Sequence, residues 1–148
     1  MKTNRYAEWL SIIANFSVVA GIIFLAVELQ QNNEIQRGEA RRTYMEIRKN
    51  AMENQYQNEA LLESLLRARS GDPLDALETE RLAVYYRSLF VIWEWEYEQY
   101  RNGLLDEPPH RRQKSAAANL PLFQETWRKH RSGYTAEFGK YMEENVFN

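Results

Sequence analysis

The chain has 148 residues, a length typical of one domain, and its 19 basic and 21 acidic residues give a formal net charge of -2. This balance argues against a domain whose main task is to bind nucleic acid phosphates, so no nucleic acid partner is expected. Cysteine is absent, which excludes disulfides and thiolate-based metal or redox sites.

The segment after the first nine residues is uncharged and apolar. Residues 10–27 read LSIIANFSVVAGIIFLAV, and at about 1.5 Å per residue roughly twenty helical residues span about 30 Å, the hydrocarbon thickness of a bilayer. Trp9 and Tyr6 stand at one end, where aromatic rings favour the headgroup region. The sequence therefore predicts a transmembrane anchor at residues 1–29, with the lipid bilayer as a partner, followed by a soluble helical domain at residues 30–148.

Two other interpretations of the apolar segment stay open. A cleavable signal peptide is suggested by Lys2 and Arg5, but the end of the run, FLAVE at 24–28, places bulky groups where the peptidase needs small ones. A core helix of a soluble protein is rarely uncharged for so long. Basic residues are more numerous after the segment, at Arg37, Arg41 and Arg42, which favours a C-terminal domain on the cytoplasmic side of the cytoplasmic (inner) membrane.

One face of the predicted anchor carries small residues. Ala14, Ser17 and Gly21 recur at helical spacing, which lets two membrane helices approach closely. Asn15, near mid-membrane on an adjacent face, would supply an interhelical hydrogen bond of about 0.6–2 kcal/mol. These residues predict packing against a second copy or another membrane protein, although lone anchors also contain small and weakly polar residues.

The spacing of apolar residues and the positions of helix-breaking residues predict the first soluble helices. Residues 34–56 have one narrow stripe, Ala40, Tyr44, Ile47 and Ala51, and nothing between residues 27 and 35 prevents the membrane helix from continuing into them. A polar break is expected at 54–58. A shorter helix at 60–69 should end at Ser70-Gly71-Asp72-Pro73, because glycine suits a C-terminal cap and proline cannot continue the helix.

The strongest predicted element is a helix that begins near residues 75–79 and ends at Asn102-Gly103 with a left-handed cap. Large apolar residues recur along it at spacings of three and four, which places it at the centre of a bundle. After a loop at 106–110, helices are expected at 111–118, from Pro121 to about 131, and from a Thr135 cap onward. No stretch alternates with strand period, so the predicted fold is all-α. The recurring residues of the central helix are Ala83, Tyr86, Phe90, Trp93, Tyr97, Tyr100 and Leu104.

The chain resembles a family of uncharacterised bacterial proteins that pair one N-terminal membrane helix with a small helical domain. The likeness rests on AVELQQN at 26–32, YEQYRNGLLD at 97–106, and the ending with Trp127, Tyr134, Phe138 and Tyr141. Where members of that family carry a tryptophan soon after the GLLD-like turn, this chain has Pro108-Pro109. The resemblance implies the fold and the anchor, and it transfers no activity.

Candidate catalytic groups are few. Glu94, Glu96 and Glu98 lie among aromatics on the central helix, but a di-metal site in a bundle needs histidines on facing helices, and His110 and His130 fall on a predicted loop and near a helix end. No metal, cofactor or catalytic residue is therefore assigned. The glutamates are expected to face water or to pair with Arg67, Arg69 or Arg87 across the bundle. A buried one would instead have a raised pKa and would support a functional role.

Two hypotheses result. The first is a membrane-anchored interaction or structural module that self-associates or serves as a subunit of a larger membrane complex. The second is a small-molecule-binding or enzymatic helical domain with a pocket lined by Trp93, Glu94, Tyr97 and Tyr100.

Overall fold

The computed structural model describes residues 3–107, 109 and 120–147, and the helix predicted at 111–118 lies outside these residues. Within the described ranges the chain forms five α-helices and no strand. The all-α prediction is confirmed: one long apolar N-terminal helix is followed by a helical domain.

The first helix, α1, runs without interruption over Thr3–Gln57. It contains no proline, and its polar second half follows the apolar run with no breaker, so the predicted continuation is confirmed. By internal contacts the chain divides into two units, Met1–Glu39 and Ala40–Asn148. Ala40 is the first buried side chain described along α1, which explains why the second unit starts there rather than at residue 30.

Helix α2 covers Glu59–Ser70, and both of its ends follow from local chemistry. The Asn58 side chain accepts a hydrogen bond from the Leu61 backbone N–H at 3.0 Å, which caps the start. Gly71 adopts the left-handed conformation, with φ of 79°, and ends the helix as the sequence predicts.

Helix α3 covers Ala76–Arg101 and begins with a capping box. The Asp75 carboxylate accepts from the Glu78 backbone N–H at 2.7 Å, and the Glu78 carboxylate accepts from the Asp75 N–H at 2.8 Å. Glu78 also binds Arg67 of α2, with 2.6 Å between Nη1 and Oε1. Gly103, with φ of 71°, follows the helix where a left-handed residue was expected.

Two short helices complete the second unit. Helix α4 spans Pro121–His130, with proline at its first position, and a 3-10 turn at Arg131–Gly133 leads to helix α5 at Ala136–Asn145. Thr135 precedes α5 as predicted, but its side chain does not cap the helix. The predicted capping bond is wrong because the Thr135 hydroxyl donates instead to the Glu94 carboxylate of α3, at 2.9 Å.

The core of the second unit is built on aromatic rings, with α3 in contact with both α2 and α4. Phe90 of α3 is fully buried, and its ring centre lies 4.9 Å from that of Phe123 and 5.1 Å from that of Trp127, both on α4. Edge-to-face pairs of this kind each add about 0.5–1.5 kcal/mol beyond the area they bury. The predicted central place of α3 is confirmed. Its buried apolar side chains are Leu82, Tyr86, Phe90 and Trp93.

Candidate functional site

The apolar part of α1 is not covered by any of the residues that the structure describes. From Trp9 to Leu29 every side chain is exposed, and large ones such as Phe16 and Phe24 are 75% and 64% exposed. By length and composition, this is the one helix in the described part of the chain that is apolar enough to cross a membrane. A side-chain surface this apolar is unstable in water and stable in lipid.

The predicted packing residues lie within this exposed surface. Ala14, Asn15, Ser17 and Gly21 are all exposed, and nothing lies within 4 Å of a Cβ built on Gly21. The Ser17 hydroxyl donates to the Ile13 carbonyl oxygen at 2.9 Å, so its donor is satisfied within the helix. The face is therefore accessible to another helix, and its role in packing stays a prediction.

The four predicted pocket residues divide between core and surface. Trp93 is 5% exposed and packs against Phe90 and Phe123, with ring centres 6.1 Å and 5.7 Å away. The Tyr97 ring contacts that of Tyr141 on α5, with 4.5 Å between ring centres and a tilt of 33°. Tyr100 is 38% exposed. The Trp93 and Tyr97 rings thus contribute to packing of α3 against α4 and α5.

Glu94, the fourth predicted residue, joins α3 to the start of α5. Its Oε1 accepts from the Thr135 backbone N–H at 2.6 Å and from the Thr135 hydroxyl at 2.9 Å. A carboxylate at this position also suits the positive end of the α5 dipole. The observed contacts of Glu94 thus fix the geometry between two helices.

A neighbouring glutamate occupies a different environment. Glu96 is 3% exposed, and it lines a cleft of about 430 Å³ between the second half of α1 and the segment that follows α3. Arg41 of α1 forms an ion pair with Asp106 at the cleft, although both side chains are largely exposed. The cleft combines apolar walls with three carboxylates and one guanidinium. Its lining residues are Arg41, Tyr44, Met45, Glu96, Leu105, Asp106, Glu107 and Pro109.

The sequence had grouped Glu94, Glu96 and Glu98 without separating them. The structure separates them: Glu94 is half-buried, Glu96 is buried and Glu98 is exposed. Arg67, one of the arginines expected to pair with these glutamates, binds Glu78 instead. Among the described residues no group of three histidine or acidic side chains is placed to hold a metal ion.

The second half of α1 has two different faces. The predicted stripe of Ala40, Tyr44, Ile47 and Ala51 is buried or half-buried, so it faces the bundle. Other large apolar side chains of the same segment are exposed to solvent. These are Met45, Met52 and Tyr56, at 66%, 52% and 66% exposure.

Within the bundle, one buried polar atom lacks a hydrogen-bond partner among the described residues. This atom is the hydroxyl oxygen of Tyr86. Burial, with a smaller contribution from neighbouring Tyr85, raises the pKa of Tyr86 to about 12, against an opposing effect of Arg69. This hydroxyl is enclosed by the core and lines none of the surfaces described above, so we assign it no functional role.

No protein-family model matches the chain, and searches of curated proteins and of solved structures found no match.

Proposed function

We propose that the protein is a single-pass membrane protein whose helical domain serves as an interaction or structural module, through self-association or as a subunit of a larger membrane complex. The observation that carries this proposal is the exposed apolar stretch of α1. It is long enough to cross a bilayer, and no described part of the protein covers it.

The chemistry of the second unit supports an interaction role. Its central rings and the Glu94 carboxylate are engaged in packing and helix joining. The exposed apolar residues of α1 lie instead on a surface where another protein could contact them. In this proposal the domain faces the cytoplasm from the cytoplasmic membrane, because basic residues are more numerous after the apolar stretch than before it.

Membrane integration is tested by fractionation of a bacterial host that expresses the full chain. The protein should sediment with membranes, resist extraction at alkaline pH and dissolve in mild detergent. A matched variant with Ile13→Lys and Ile22→Lys places two charges in the span at a cost of about 2.5–3.5 kcal/mol each and should shift the chain out of the membrane fraction. Recovery of the unaltered chain in the soluble fraction without detergent would refute the proposal.

Orientation is tested separately with reporters. An alkaline phosphatase fusion at the C-terminus should be inactive, and a fluorescent protein that folds only in the cytoplasm should be bright. The opposite pattern would place the domain outside the cytoplasm while leaving the anchor itself in place.

The Glu96 cleft favours a second candidate function, the binding of a small molecule. Ligand sites combine apolar walls with a few placed polar groups, and a volume of about 430 Å³ lies in the range of such sites. Among the described lining residues three carboxylates lie beside one guanidinium, and this favours a small organic cation as the ligand class. Butylammonium should then raise the unfolding temperature of the full chain in nanodiscs more than neutral butanol does, and Glu96→Gln should abolish the difference. Equal effects of the two compounds would eliminate this candidate.

A further inference from the structure

We propose that a second copy of this chain packs side by side and parallel along the exposed face of α1 that carries Met45, Lys49, Met52 and Tyr56. The proposal deepens the self-association form of the proposed function and rests on it, because a shared anchor brings the copies together and points their helices in the same direction.

The face is accessible, and only its first residue, Met45, also lines the Glu96 cleft. Met45, Lys49, Met52 and Tyr56 are exposed and follow one another at spacings of four, three and four, which places them on one side of a helix. The buried stripe that starts at Ala40 lies on the opposite side of the same helix. One helix therefore packs in its own bundle while its other face is open to a partner.

This spacing is that of a two-stranded coiled coil. In a seven-residue repeat, Arg42, Lys49 and Tyr56 occupy the a positions, and Met45 and Met52 occupy the d positions. Basic side chains at a weaken such an interface and limit it to few strands, since their long stems pack while their charges reach water. The repeat thus describes a short and weak contact between two helices.

The flanking charges complement a second copy in one orientation only. The e positions hold Glu46 and Glu53, and the g positions hold Arg41 and Arg48. In a parallel pair, each g residue faces the e residue five positions later in the other helix, so Arg41 would meet Glu46 and Arg48 would meet Glu53. An antiparallel pair would place arginine opposite arginine and glutamate opposite glutamate.

The observed contacts of these charges are compatible with this exchange. Arg48 donates to the Tyr44 hydroxyl at 2.9 Å through one nitrogen, and a guanidinium has five donors. Glu53 pairs with Lys49 of its own helix at 3.4 Å, where both side chains are exposed, and exposed pairs of this kind contribute little. Arg41 pairs with Asp106 of its own chain, where both side chains are also largely exposed, and it would exchange this partner for Glu46 of the second copy. None of these three contacts closes the face.

About two heptads are too short to hold helices together from dilute solution, so the anchor is required. Confinement in one membrane turns association into a reaction at high effective concentration. The predicted membrane packing residues Ala14, Ser17 and Gly21 support association within the membrane independently of this face.

The absence of cysteine makes the face directly testable. Single-cysteine variants Met45→Cys and Met52→Cys are expressed in the full chain, and disulfide formation is catalysed by oxidised copper-phenanthroline in isolated membranes. The matched control is Asn50→Cys, which is exposed on the same helix but off the proposed face. Met45→Cys and Met52→Cys should give a species of twice the chain mass several-fold more efficiently than Asn50→Cys, because a disulfide needs Cβ atoms about 3.5–4.5 Å apart.

A charge exchange tests the orientation. Arg48→Glu should reduce cross-linking through Met52→Cys several-fold, and addition of Glu53→Arg to the same chain should restore it. Equal cross-linking at positions 50 and 52, none at 45 and 52, or a cross-linked species with another protein would overturn the second-copy proposal. If the variants sediment with membranes and still fail to cross-link, this proposal alone fails. If the chain is not in the membrane fraction, the proposed function fails as well.

Discussion

Removal of the Tyr86 hydroxyl should stabilise the protein. The residue is 1% exposed, and its ring packs edge to face against Phe123 at 5.1 Å. Its hydroxyl is buried and has no partner among the described residues. In the unfolded chain the same hydroxyl binds water, so folding removes hydrogen bonds that this part of the protein does not replace.

The size of the effect follows from two opposing contributions. An unsatisfied buried polar group costs about 1–3 kcal/mol. Tyr86→Phe removes that cost and keeps the ring, while the lost oxygen leaves a void smaller than a methyl group, worth less than about 1 kcal/mol. The free energy of unfolding should therefore rise by about 1 kcal/mol.

The measurement is urea unfolding of the full chain in mild detergent, followed by tryptophan fluorescence. With a slope of about 1–3 kcal/mol per molar urea, the midpoint should rise by about 0.3–1 M. Tyr85→Phe is the matched control, because the Tyr85 hydroxyl donates to the Gln55 side chain at 3.3 Å and its loss should lower stability by about 0.5–1.5 kcal/mol. A decrease of 1 kcal/mol or more in Tyr86→Phe would refute the reasoning.

Three further predictions concern the core, a cap and alkaline pH. Phe90→Ala should lower the free energy of unfolding by about 3–5 kcal/mol, since the ring is fully buried, whereas Val91→Ala, at 59% exposure, should change it by less than about 0.5 kcal/mol in the same urea assay. Asp75→Ala removes the α3 cap and should lower the free energy of unfolding by about 0.5–2 kcal/mol, which the urea assay would show as a lower midpoint. The pKa of Tyr86 is 10.0 in the unfolded chain and about 12 in the folded protein, so ionisation of Tyr86 does not affect stability below pH 10. As the pH rises from 10 toward 12, the hydroxyl ionises first in the unfolded chain, and the free energy of unfolding falls. The stability advantage of Tyr86→Phe should accordingly widen over that range, and a constant difference in urea midpoint between pH 9 and pH 12 would contradict it.

Helix boundaries were predictable where one residue type decides them. Gly71 and Gly103 were expected to be left-handed because other residues adopt that conformation at a cost, and both do. The break before α2 was predicted only as a polar range, 54–58, and the structure limits it to Asn58, whose side chain caps the next helix. The local sequence carries such information because these bonds join residues only a few positions apart.

Contacts between distant residues were not predictable in this way. Thr135 has a common capping side chain, yet its hydroxyl binds Glu94, a residue 41 positions away. The burial of Glu96 was also not predictable from the sequence. On a helix Glu96 lies about 200° from both Glu94 and Glu98, whereas Glu94 and Glu98 lie only about 40° apart. Aromatic residues alternate with all three in the sequence, which removed the polar-apolar contrast that would have identified the buried one.

The second half of α1 shows why an apolar pattern alone left its partner undetermined. Its bundle face uses the small and aromatic stripe from Ala40 to Ala51, which the sequence identified. Met45, Met52 and Tyr56 interrupt the polar remainder, and burial of such side chains yields about 25 cal/mol for each Å² removed from water. These side chains remain exposed in the bundle, because a helix cannot present opposite sides to the same core. Contact with a second α1 in parallel register would bury these side chains, and the flanking arginines and glutamates would pair between the two copies once Arg41 leaves Asp106.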